Sequence, residues 1–138
     1  MKRWKEFDYT GQWDGTGLAY RPVVNVILSN GPKSFPVVAL IDSGCDCVMV
    51  NKDIAGVLGI TSNPLRKMRV GGITGLRDDG FKSEIAVQPT SFKAFNADAT
   101  FVPGLPFACL LGQKGFFDSF NVRFEKGKKK FYIQPVSL

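Results

Sequence analysis

An apolar run from Val37 to Ile41 ends on Asp42-Ser43-Gly44, and the chain then returns to apolar residues at Val48-Met49-Val50. A carboxylate at the end of a buried strand is costly unless it is hydrogen-bonded or shares a proton. Gly44 lets the backbone turn tightly beside it, and Ser43 offers a hydroxyl to lock the loop. Two readings follow from these residues: an Asx-type turn in which Asp42 only accepts local N–H bonds, or a carboxylate placed for acid–base chemistry. The chain has no histidine, which removes Ser-His-Asp and Cys-His nucleophile systems and every His-ligated metal site. Cys45, Cys47 and Cys109 are too few for a four-cysteine zinc site and odd in number for a disulfide framework. A soft metal on Cys45-Asp46-Cys47 is a poor reading with only one distant third cysteine. Chemistry is left to carboxylates, hydroxyls, lysines or a thiol, with no metal or cofactor expected.

Two further segments bear on the choice. Val70-Gly-Gly-Ile-Thr-Gly75 is dense in glycine and flanked by strand-like residues. It is either an ordinary Gly-rich turn or the tip of a mobile β-hairpin that closes over a ligand and presents backbone N–H groups. Ala108-Cys-Leu-Leu-Gly112, followed by Gln113-Lys-Gly-Phe-Phe117, is an apolar strand ending in glycine before a helix, a common core pattern.

The elements that position these segments are mostly short strands. Residues 1–19 are polar and Gly-rich and are expected to be a loose arm or an edge strand, with the main domain over 20–138. Val23 to Leu28 and Phe35 to Ile41 predict a hairpin around Ser29-Asn30-Gly31-Pro32. Asn51 is placed to cap a short helix over Lys52 to Leu58, closed by Gly59. Strands are predicted at Leu65–Val70, Phe81–Val87, Lys93–Ala97, Thr100–Val102, Asn121–Glu125 and Lys130–Gln134. A second short helix is predicted around Lys114 to Phe120, with Phe116, Phe117 and Phe120 on one packing face. Many short strands with few helices mean a mostly-β barrel or sandwich.

The chain has 138 residues, 44% of them hydrophobic and 22% charged, as expected for one soluble globular domain. It holds 18 basic and 12 acidic residues, a net charge of +6. The bases are scattered, and the densest group, Lys126, Lys128, Lys129 and Lys130, sits between two strand-like runs as a solvated hairpin turn. Nucleic acid is therefore an unlikely partner, since phosphates need clustered bases. No stretch reaches the roughly 20 apolar residues of a membrane span, and Met1 to Tyr9 lacks the apolar core of a signal peptide. Three unpaired cysteines fit a reducing, cytoplasmic setting, and the start at Met1 points to a free-standing chain.

Taken in order, the three segments resemble the retropepsin family, the single-domain aspartic proteases of retroviral type and their bacterial relatives. Ala39-Leu-Ile-Asp-Ser-Gly-Cys-Asp46 resembles the family's apolar run into Asp-Thr/Ser-Gly with a second Asp. Val70-Gly-Gly-Ile-Thr-Gly75 resembles its flap tip, and Leu110-Leu111-Gly112 its strand beside the catalytic loop. The resemblance implies a closed retropepsin-like β-barrel with a β-hairpin flap and one short C-terminal helix. It also implies a homodimeric aspartic endopeptidase, because one chain carries one Asp-Ser-Gly and the site needs two carboxylates. Asp42 is then catalytic. Ser43 and Gly44 support the loop, with the Ser43 hydroxyl bonding across to the other subunit's loop. Gly44, Asp46, Gly71, Gly72 and Ile73 bind the main chain of a peptide or protein substrate. Val50, Val70, Leu110 and Leu111 are assigned to subsites or core. Gly112-Gln113-Lys114 departs from the family's Gly-Arg-Asp/Asn, whose arginine pairs with the carboxylate at the position of Asp46. Cys45 replaces the usual alanine and invites redox sensitivity. Phe131 to Gln134 is the candidate strand for a sheet shared between subunits, although Pro135 limits its ladder. The competing functions are a catalytically inactive scaffold of the same fold and a basic β-domain that binds nucleic acid.

Overall fold

Alternation of buried and more exposed residues along 23–28 and 35–41 sets the inside and outside of a barrel, because successive strand side chains point to opposite faces. The computed structural model describes residues 3–62, 66–71 and 77–136. In chain order the elements are β1 (Lys5–Asp8), β2 (Thr10–Trp13), β3 (Leu18–Arg21), β4 (Val23–Asn30), β5 (Lys33–Ile41), β6 (Met49–Asn51), α1 (Asp53–Val57), β7 (Lys67–Gly71), β8 (Arg77–Pro89), β9 (Phe95–Val102), β10 (Cys109–Leu111), β11 (Phe120–Glu125) and β12 (Lys130–Pro135).

The barrel runs β4-β5-β10-β6-β9-β8 and closes where β8 pairs back onto β4, Val26 to Ser29 facing Ala86 to Pro89. Closure leaves these six strands without a free edge. Its interior holds Val24, Val26 and Leu28 of β4, Ala39 and Ile41 of β5, Val50 of β6, Ile85 and Val87 of β8, and Ala99 and Phe101 of β9. The rings of Phe81 and Phe101 stack at 5.1 Å between centroids, a geometry that adds to their area burial. The first part of β8 leaves the barrel to pair with β7, Lys67 facing Phe81 and Gly71 facing Arg77.

The β4–β5 hairpin forms as expected. Asn51 stands one residue before the N-cap Lys52 of α1; its Oδ1 accepts the Asp53 N–H at 2.9 Å, while its amide nitrogen donates to the Leu105 carbonyl at 2.8 Å. One expectation needs correction. The strands expected over Lys93–Ala97 and Thr100–Val102 are one strand, β9, which starts only at Phe95 and runs unbroken through Asp98 to Val102. Asp98 lies on the outer face and takes a forked bond from Arg66 at 2.6 and 2.8 Å, so a charge there does not end the strand. The helix expected over Lys114–Phe120 is present as a short, kinked helical segment over residues 113–119, broken where Lys114 is extended (ψ 125°) and Gly115 takes φ +95°. Phe116 and Phe120 are nonetheless buried there.

A second, three-stranded sheet is ordered β1-β12-β11. Its inner face meets the barrel where Phe120 of β11 packs edge-on against Phe95 of β9 at 5.9 Å, with Phe92 and Phe116 of the flanking loops 5.1 and 5.2 Å from Phe120, while within the sheet Phe7 stacks on Phe131 at 5.3 Å. β12 is the central strand, bonded to β1 on one side and β11 on the other. Over Lys130–Ile133 both of its edges are therefore used within the chain, so the stretch expected to join a sheet between subunits is already paired on both sides except at Gln134. The sheet's unpaired edges among the described residues belong to β1 and β11. No described helix is long and apolar enough to cross a membrane.

Candidate active site

β10 lies between β5 and β6, parallel to the first and antiparallel to the second, with Leu111 level with Ile41. The loop that joins β5 to β6 must therefore cross the end of β10. Asp42 is the first residue of that loop, and the loop's backbone is tied to the segment after β10 at each step. Asp42 N–H donates to the Leu111 carbonyl at 3.0 Å, Gln113 N–H to the Cys45 carbonyl at 2.8 Å, and Lys114 N–H to the Asp46 carbonyl at 2.9 Å. Cys45 N–H donates back to the Asp42 carbonyl at 3.1 Å, which makes residues 42–45 a tight turn.

Within that turn Gly44 N–H donates to Asp42 Oδ1 at 2.9 Å. This is the local bond that the Asx-turn reading anticipates. It also fixes one carboxylate oxygen and leaves the other lone-pair directions of a half-buried acid for another partner. The Ser43 carbonyl accepts a bond from the Gln113 side-chain amide at 2.7 Å. Gly112 passes directly beneath the loop: a Cβ there would overlap the carbonyl oxygens of Cys45 and Cys47. A glycine closing β10 is thus a steric requirement of the loop crossing.

Ser43, Gly44 and Asp46 are exposed on the rim beside Asp42. Among the described residues the Ser43 hydroxyl has no partner, and no cation pairs with Asp46. Val50 and Leu111 are fully buried inside the barrel. Leu110 is half-buried on the opposite face, level with Leu40 and Met49. Val70 and Gly71 are in β7, opposite Asp78 and Arg77, whereas Gly72 and Ile73 lie outside the described residues. The hairpin arms of β7 and β8 are therefore placed, and the tip is not among the residues described.

Cys45 is buried, and its thiol donates to the Cys47 carbonyl at 3.1 Å. Burial pushes the Cys45 thiol up from its ordinary value and, with a smaller push from Cys45, raises Cys109 to about 12. A thiol held protonated is a poor nucleophile and a slow target for oxidants, so the redox sensitivity expected of Cys45 has no support in its surroundings. Among the described residues no three His, Cys, Asp or Glu side chains gather as a metal site. Gln113 was visible in the sequence only as a departure from a family pattern. Its spacing of 70 residues from Ser43 leaves no local signal for their contact.

The sequence matches no protein-family model and no curated protein. Among solved structures, a retropepsin-like aspartic protease from Rickettsia conorii superposes with a TM-score of 0.67 at 17% identity, covering 98% of this chain and 94% of that one. A complex of EIAV protease with an inhibitor gives a TM-score of 0.46 at 16% identity, over 74% of this chain and 88% of that one. The closed barrel that places Asp42 across the end of β10 is a retropepsin-like fold.

Proposed function

We propose that this chain is an aspartic endopeptidase that works as a homodimer, with Asp42 of each subunit at one shared site. The observation that carries the reading is the strapped Asp42 loop: a carboxylate at the mouth of the barrel, held by Gly44 N–H and by three backbone bonds to residues 111–114. The shared fold with a retropepsin-like aspartic protease supports it. The single Asp-Ser-Gly of the sequence makes a second copy necessary, because water activation of this kind needs two carboxylates about 3 Å apart that share one proton.

In that arrangement the ionised carboxylate takes a proton from a bound water as its oxygen attacks the scissile carbonyl carbon. The protonated carboxyl gives its proton to the carbonyl oxygen. The resulting gem-diol then collapses: the C–N bond breaks, and the amine leaves with a proton from the dyad. The pair titrates as a unit. The β7–β8 hairpin serves as the flap, with Gly71, Gly72 and Ile73 offering backbone donors, and Gly44 and Asp46 hold the substrate main chain on the opposite side. An extended peptide is the substrate form that such strand-like donors recognise.

The basic cluster gives no competing reading. Lys130 bonds to Asp8 and lies 3.4 Å from Glu6, Lys128 lies 3.6 Å from Glu125, and Lys129 sits over the Tyr20 ring at 4.1 Å. Charges spent on intramolecular partners are poorly placed for phosphates. With three free thiols the setting we propose is reducing and cytoplasmic.

The test is incubation of the wild-type protein and Asp42→Asn with a peptide library from acidic to neutral pH, with products read by mass spectrometry and oligomeric state by sedimentation. Cleavage that disappears in Asp42→Asn while the dimer persists is the expected result. Dimers without cleavage favour an inactive scaffold, and cleavage that survives the substitution rejects the reading.

A further inference from the structure

The Ser43–Gly44 peptide unit is held from both ends. Its N–H donates to Asp42 Oδ1 at 2.9 Å, and its C=O accepts from Gln113 Nε2 at 2.7 Å. A peptide bond is planar, and in the trans form its N–H and C=O point in opposite directions. Anchoring the carbonyl therefore sets the direction of the N–H. A bond to the carbonyl also polarises the unit and strengthens the donation from its nitrogen, as in any hydrogen-bonded chain. No other described side chain reaches this peptide unit.

Gln113 is itself firmly placed. Its own N–H bonds the Cys45 carbonyl at 2.8 Å, and Lys114 N–H bonds the Asp46 carbonyl at 2.9 Å. Gly112, which admits no side chain, precedes it. The backbone beneath the amide is thus fixed to the same loop that the amide grips.

We propose that Gln113 is a positioning residue for Asp42: its side-chain amide orients the Ser43–Gly44 peptide, and that peptide orients the carboxylate. The proposal deepens the protease reading and rests on it for the consequence in turnover, but the link from Gln113 to Gly44 stands on geometry alone. Gln113 itself touches neither Asp42 nor substrate. A small misplacement of a reacting carboxylate lowers the rate of the chemical step more than it lowers binding.

The test uses Gln113→Leu, which keeps bulk and removes the donor, and Gln113→Arg, which returns N–H donors to the same place. The position is exposed, so both variants are expected to keep the wild-type urea midpoint. In nitrogen-15-labelled protein the Gly44 amide should exchange about three- to tenfold faster in Gln113→Leu, the loss of one ordinary hydrogen bond, and return toward wild type in Gln113→Arg. In the cleavage assay kcat should fall about tenfold in Gln113→Leu with KM within about twofold, and Gln113→Arg should recover most of it. A Gly44 amide unchanged in Gln113→Leu overturns the proposal. So does a faster Gly44 amide with unchanged kcat, or a kcat loss that arginine does not repair. If the wild type shows no Asp42-dependent cleavage, the protease reading fails, and Gly44 exchange alone decides the Gln113 link.

Discussion

Gly112 lies so close beneath Cys45 that a methyl group on it would sit 2.8 Å from the Cys45 carbonyl carbon and overlap the carbonyl oxygen. The obstacle is backbone, which cannot rotate away as a side chain can. Gly112→Ala is therefore expected to force the 42–47 loop off β10 and destabilise the fold by about 3 kcal/mol. Urea unfolding measures it. A change under about 0.5 kcal/mol shows that the loop yields freely and that the strapping is weaker than its bonds suggest.

Phe131 is the buried centre of the terminal sheet. It is fully buried, stacks on Phe7 and meets Tyr9 edge-on at 5.7 Å. Phe131→Ala should cost about 3–5 kcal/mol, the range for emptying a buried aromatic site. Because the loss falls on β1 and β12, hydrogen exchange should rise there before it rises in β4 and β5.

Lys130 bonds to Asp8, and that bond, with the nearby charges of Asp8 and Glu6, raises its pKa above the ordinary 10.5. A lysine raised in the folded state contributes stability that is complete below its unfolded value and is lost as pH rises through the folded one. The urea midpoint of the wild type should therefore exceed that of Lys130→Met by a constant margin from about pH 7 to 9, and the margin should close above about pH 10.5. The margin is small, because the pair faces solvent. A gap that persists at pH 11 would assign the effect to packing of the lysine stem.

The three thiols should separate by burial. Cys45 and Cys109 are buried with raised pKa values, and Cys47 is only half-buried, 3.5 Å from the Thr100 hydroxyl. Alkylation of the native protein at about pH 8 should mark Cys47 first and leave Cys109 untouched until unfolding. Peptide mapping reads the order. Early labelling of Cys109 contradicts the closed barrel.

Alternation and turn residues carry the locally legible part of this fold. The β4–β5 hairpin announces itself through Ser29-Asn30-Gly31-Pro32 between two period-2 runs, and the Asp42 loop through an apolar strand that ends abruptly on a carboxylate. Asp98 broke the expected pattern of β9 because its partner, Arg66, stands 32 residues away. The Lys114–Phe120 helix is legible in phenylalanines at i, i+1 and i+4, which fit a helix face, but its kink is not, because Gly115 at φ +95° gives no periodic signal.

The amino-acid sequence alone determined which residue types are present for chemistry, where the chain must turn, and which strand faces are apolar, since these depend on neighbours within a few positions. Tertiary structure alone decided that β8 closes the barrel on β4, that β12 is enclosed between β1 and β11, and that Gln113 reaches the peptide beside Asp42. Each of these depends on a contact between residues tens of positions apart, β12 through its pairing with β1. Their pairing is set by how the whole set of strands buries its apolar faces, and no short window of sequence carries that information.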